Sequence, residues 1–167
     1  EVDRTRAKIA AYESSYTVGP WNRRVNLFAS SGGFGGALDN IIESLAMEIA
    51  DDITYNVDVT MTYGSQQSEY VYVPEKFSDK VYERLNEGSL ISAYIGHGLE
   101  GSLDKLDWSG KKYPIMDIKK LSSIKVKNKA PIMFIIACLT GAFADEDGLA
   151  EQIVRLPDAP PAVIAST

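Results

Sequence analysis

The chain has 167 residues, 45% apolar and 24% charged, enough for one domain with its own core and too apolar for a disordered segment. Its 17 basic and 23 acidic side chains leave a net charge of −6, which repels a phosphate backbone and argues against nucleic acid as a partner. No apolar run approaches the roughly 20 residues that span a bilayer, and a single Cys with a single His excludes an internal disulfide and the usual zinc ligand sets.

In chain order, "DRTRAKIAAYE" (3–13) has no Gly or Pro and predicts a helix, part of a helical lead-in over 1–23. Arg24 to Ala29 reads as a strand running into the glycine-rich "SSGGFGGALDN". Leu38, Ile41, Ile42, Leu45 and Ile49 then recur at helical spacing, so Ala37 to Ala50 is an amphipathic helix. "YNVDVTMTY" alternates, with Tyr55, Val57, Val59, Met61 and Tyr63 on one face, as in a half-buried strand or one near the sheet edge. "GSQQSEYVYVPEKF" reads as a loop with a short extended piece, after which Ser78 is placed to cap a helix bearing Val81 and Leu85 that Gly88 ends.

Leu90–Ile95 and Ile132–Ala137 are nearly continuous apolar runs, suited to central strands of a parallel sheet with both faces covered. Between them "DWSGKKYPIMDIKKLSSI" predicts a loop and a short helix; the basic run Lys119–Lys129 is the solvated turn leading into the second strand. "DGLAEQIVRL" gives a last helix and "PAVIAS" a fifth strand. Five strands alternating with four helices predict a doubly wound α/β layer, a mostly parallel sheet flanked by helices, over 24–167.

Three stretches carry candidate chemistry. "SSGGFGGALDN" sits where a dinucleotide fingerprint would sit, but counting from Gly33 and Gly35 the third glycine falls on Leu38, and no Lys completes a phosphate loop. A flexible turn, or a loop lining a cleft at the top of the sheet, suits these glycines better. His97, in "SLISAYIGHGLEG", and Cys138, in "PIMFIIACLTGAF", each end an apolar strand and are followed closely by glycine, at Gly98 and Gly141. Alone, the cysteine reads as an inert core residue and the histidine as a structural or exposed one. Ligands of open parallel sheets bind outside the carboxyl ends of the strands, and consecutive strands tend to be neighbours. The matched placement therefore favours one site shared by the two strands.

The blocks "AYIGHG" and "IMFIIACLTGAF" resemble the His-Gly and Ala-Cys blocks of the gingipain-type cysteine peptidases (family C25), relatives of caspases, legumain and clostripain. In that group one apolar strand ends in His-Gly and the next in Ala-Cys. The similarity of element order extends from Arg24 to Thr167. The resemblance implies a caspase-like three-layer α/β fold and a cysteine endopeptidase without cofactor, acting on protein or peptide substrates. It makes Cys138 the nucleophile, His97 the proton donor to the leaving amine, and the backbone N–H groups of Gly98 and Cys138 the oxyanion donors.

It further implies a bacterial protein, secreted or at the cell surface. The family domain continues beyond the strand at "AVIAST", and this sequence opens "EVDRTRAK" without Met, so a longer chain with further domains and more of the cleft is expected. In these proteases the loop after the first strand helps form the pocket for the residue before the cut. Here its one charge is Asp39, which would favour Arg or Lys, or else offsets the dipole of the first helical turn. "ADEDG" (144–148) is a second acidic candidate whose plainer role is capping the helix at Leu149. The alternative to an enzyme is an inactive module of the same fold that binds a partner or serves as a scaffold.

Overall fold

The computed structural model describes residues 2–14, 17–30, 41, 44, 47–48, 51–52, 56–66, 68–144 and 147–167. Helix α1 (Val2–Ser14) precedes strand β1 (Arg24–Ala29), and β2 (Asp58–Tyr63) leads to α2 (Pro74–Glu87) and β3 (Ile91–Ile95). Four short strands follow: β4 (Gly98–Leu99), β5 (Ser102–Leu103), β6 (Lys105–Trp108) and β7 (Lys111–Pro114). Two 3₁₀ turns then lead to β8 (Ile132–Ile136), α3 (Leu149–Arg155) and β9 (Ala162–Ala165). Strands β2-β1-β3-β8-β9 form one sheet in that order, every neighbouring pair parallel.

The topology follows from chain direction and handedness. From β1 the chain steps outward to β2, then turns back across β1 to β3 and continues to β8 and β9. Right-handed crossovers in opposite directions lie on opposite faces of a sheet. The face bearing Phe28, Tyr94, Met133 and Ile135 packs on Phe77, Val81, Tyr82 and Leu85 of α2 and on Leu149 and Ile153 of α3, in one buried cluster. The β1-to-β2 connection, helical at Ile41, Ser44, Met47, Glu48, Asp51 and Asp52, runs the other way along the sheet, for which that handedness predicts the other face. On that face Val25, Leu27 and Ala29 are buried, but burial fades toward the β9 edge, where Ile136 and Ile164 are 60% and 58% exposed.

A polar cluster fixes the register of the first three strands. The buried Asn26 amide donates to Ser89 Oγ and to the Arg84 carbonyl, each at 3.1 Å, and Thr60 Oγ1 donates to Asn26 Oδ1 at 2.6 Å. Slipping any of these strands would leave a buried amide unpaired, which typically costs about 1–3 kcal/mol.

Three expectations need correction. Helix α2 starts at Pro74 rather than after Ser78, because proline at the first helical position lacks only an N–H that has no partner there anyway. Its end is as expected: Gly88, at φ 83°, donates its N–H to the Leu85 carbonyl. The stretch taken for a loop holds the β6–β7 hairpin. Its two-residue turn, Ser109-Gly110, has both φ positive, at 54° and 78°, as hairpin turns of matching twist require. The segment expected to be a short helix is 3₁₀, Ile118–Ser123, started by Asp117, whose side chain accepts from Lys119 N.

Candidate active site

Strands β3 and β8 pair in parallel, with Ile95 opposite Ile136 at their carboxyl ends. The Gly96 N–H donates to the Ile136 carbonyl at 3.2 Å, carrying the pairing one step past the strands. His97 and Cys138 come next and both are exposed. The structure thus brings the two sequence-chosen residues to one rim of the sheet. Asp39 lies outside the described residues, as does most of the glycine-rich loop.

Contact between the two loops is tightest at Gly98. A Cβ placed there would meet Thr140 Cγ2 at 2.5 Å, the Cys138 carbonyl oxygen at 2.6 Å and Ala137 Cβ at 2.8 Å, all too close for any side chain. Glycine is required because the backbone after His97 lies against the backbone of Cys138.

After Gly98 the chain turns back in the β4–β5 hairpin. Asp104 N donates to the His97 carbonyl at 3.1 Å, which makes Gly98 and Leu103 the next, non-hydrogen-bonded pair of the ladder. In such a pair the N–H groups point away from the partner strand. Leu103 N accordingly donates outward to the Met116 carbonyl at 2.8 Å, and Gly98 N is turned the other way.

Further groups set the two loops. Tyr94 is fully buried beneath the rim, and its Oη donates to the His97 carbonyl at 2.9 Å. Burial pushes this phenol well above its ordinary range, so it stays protonated as a donor. Thr140, also fully buried, donates from Oγ1 to the Ala137 carbonyl at 3.0 Å and closes the turn that carries Cys138. The first residues of α3 tie the loops together: Leu149 N donates to the Glu100 carbonyl at 2.6 Å and Ala150 N to the Thr140 carbonyl at 2.9 Å. Leu139, directly after Cys138, has φ 59°, a left-handed conformation uncommon outside glycine.

None of these supporting roles was read from the sequence. Tyr94 and Thr140 look like ordinary strand and turn residues, while the nearby β6–β7 hairpin could have been read from the "WSGK" turn. In "ADEDG", Asp147 does not cap α3; it pairs with Arg155, and Gly148 holds the cap position. Among the described residues, no helix is long and apolar enough to cross a membrane.

In comparison with known proteins, the crystal structure of the Arg-specific cysteine proteinase gingipain R superposes with a TM-score of 0.69 at 19% sequence identity. The alignment covers 97% of this chain and 36% of that one, so the present chain spans about a third of the gingipain R structure. At that identity the likeness shows the fold, a caspase-like α/β sandwich around a parallel sheet. No curated protein matches the sequence. The sequence profile of peptidase family C25, in contrast, matches residues 1–167 without a gap at either end, and the chain belongs to that family.

Proposed function

We propose that the protein is a cysteine endopeptidase in which Cys138 and His97 act as a dyad. The observation that supports this reading is the placement of an exposed Cys138 and an exposed His97 just past the carboxyl ends of two paired strands, with Gly98 against the Cys138 carbonyl. The Cys138 thiolate attacks the scissile carbonyl carbon, and the electron pair moves onto oxygen. That oxyanion accepts from the backbone N–H groups of Gly98 and Cys138, each such donor typically worth about 3 kcal/mol. Collapse breaks the C–N bond as His97 protonates the departing amine, leaving a thioester on Cys138. His97 then takes a proton from water as it adds to the thioester, and collapse releases the acid and the thiolate.

Family membership makes proteins or peptides the substrates. With Asp39 in the loop after β1, we assign a preference for Arg or Lys before the cut. The chain works as part of a longer polypeptide, with 24–167 as the peptidase domain and 1–23 as its lead-in. Its place of action is outside the cell or at its surface.

The test is active-site labelling with peptide acyloxymethyl ketones carrying Arg, Lys, Asn or Asp at the reacting position, followed by turnover of the matching peptides. Labelling confined to Cys138, strongest with Arg or Lys, is the expected result. An accessible Cys138 that takes a small alkylating agent but no peptide ketone, with no peptide cleaved, would leave a binding module of the same fold.

A further inference from the structure

Beside the candidate dyad a groove of about 530 Å³ opens between the β4–β5 hairpin, the 3₁₀ turn at Ile118 and the turn after Cys138. Its apolar wall is Leu99, Ile118 and Leu139. These side chains are 57%, 41% and 44% exposed, and they converge on one surface instead of being scattered. Two of the three stand next in sequence to the site: Leu139 follows Cys138, and Leu99 follows Gly98. Leu139 holds its place with a left-handed backbone, φ 59°, that a leucine rarely adopts. The charged residues around the groove cancel, Lys105 and Lys119 against Glu100 and Asp117. It therefore offers no net field to an acidic or a basic side chain, while its wall suits an uncharged apolar one.

The chemistry fixes which part of a substrate can reach it. The proton donor must face the leaving nitrogen, so the peptide segment C-terminal to the cut leaves along the hairpin that carries His97. The groove lies on that hairpin. We propose that it is the subsite for the leaving half of the substrate, and that it selects a large apolar side chain directly after the scissile bond. This inference rests on the peptidase reading above. It adds a second determinant of specificity, independent of the side chain before the cut.

The experiment uses the protein at its full natural length and quenched fluorescent peptides that share the acyl side found by labelling. They differ only in the first leaving-side residue: Leu, Ser or Asp. A peptidyl aminomethylcoumarin with the same acyl side and no leaving-side residue is the reference substrate. The parent should cleave the Leu peptide with a kcat/KM about tenfold or more above the Ser and Asp peptides. Ile118→Ser and Leu99→Ser should each bring that ratio toward one. Equal rates for the three peptides, or an undiminished ratio in both variants, would overturn the subsite while coumarin cleavage left the peptidase standing. If neither coumarin nor peptides are cleaved and Cys138 is not labelled, the peptidase reading fails and the subsite with it.

Discussion

Strands β3 and β8 change character within three residues. Tyr94 and Ile135 lie side by side in the interior, touching no solvent, and packed on α2 and α3. Three residues on, His97 and Cys138 stand in solvent. The interior is held mainly by apolar burial, which tolerates apolar side chains of similar volume. The rim is held by backbone contacts and hydrogen bonds, which specify particular atoms. Stability and chemistry therefore reside in different parts of the same two strands, and mutations should separate them.

The largest separation is expected between His97 or Cys138 and Leu85. Cys138→Ala should abolish labelling and turnover, since the chain has no other thiol. His97→Ala should lower turnover about 10²–10⁴-fold while some labelling persists, because the alkylating agent brings its own leaving group. Both variants should keep the parental melting temperature, as exposed positions usually do. Leu85→Ala, at a fully buried position, should cost about 2–5 kcal/mol in urea unfolding and leave the remaining folded molecules active. A large loss of stability in both rim variants would break the comparison.

Gly98→Ala sharpens it, since one methyl group tests whether the spacing of the loops matters more than their composition. The added carbon cannot fit against the Cys138 carbonyl, so the loops must part. A displacement near 1 Å is expected to lower kcat about 10²-fold, with a melting temperature that falls much less than for Leu85→Ala. Unaltered kinetics would show that the contact is incidental.

The smallest effect belongs to the interior. Burial raises the phenols of Tyr82 and Tyr94 above their ordinary value of 10.0. In the unfolded chain they ionise near that pH, so above it the unfolded state binds fewer protons than the folded one. Their contribution is complete below about pH 10 and is lost as the pH rises further. Urea midpoints measured from pH 8 upward should fall above pH 10, and Tyr82→Phe should make that fall shallower. Because Tyr94 also donates to the His97 carbonyl, Tyr82→Phe is the variant that isolates the interior's share.

Strands β3 and β8 were legible because each is a long apolar run, found one residue shorter than predicted, while β1, which carries Arg24 and Asn26, is found at its predicted limits. Helix ends were legible where one residue dominates the backbone, as at Gly88. The start of α2 was misplaced because Ser78 and Pro74 both signal an N-terminus, and the sequence does not rank them. Strands β4 and β5, two residues each, are too short to carry a period. The positions of His97 and Cys138 could be inferred because both follow strands. The groove at Leu99, Ile118 and Leu139 could not, since it joins three segments that only the fold brings together. The uncovered half of the sheet face was equally hidden, because Ile136 and Ile164 look like any other core isoleucine.

The two hydrogen bonds from the start of α3 have a consequence for timing. Leu149 N holds the hairpin behind His97 at Glu100, and Ala150 N holds the turn behind Cys138 at Thr140, so adjacent amides of one helix grip both loops. Neither loop can swing away without giving up a bond to the same helical turn. These are amides of the first helical turn, without a partner inside the helix, so the loops part only by giving up these bonds, a local opening slower than the picosecond-to-nanosecond rotation of exposed side chains. The fast motion samples orientations of exposed side chains, and the slow one alters the spacing of the backbone that carries them.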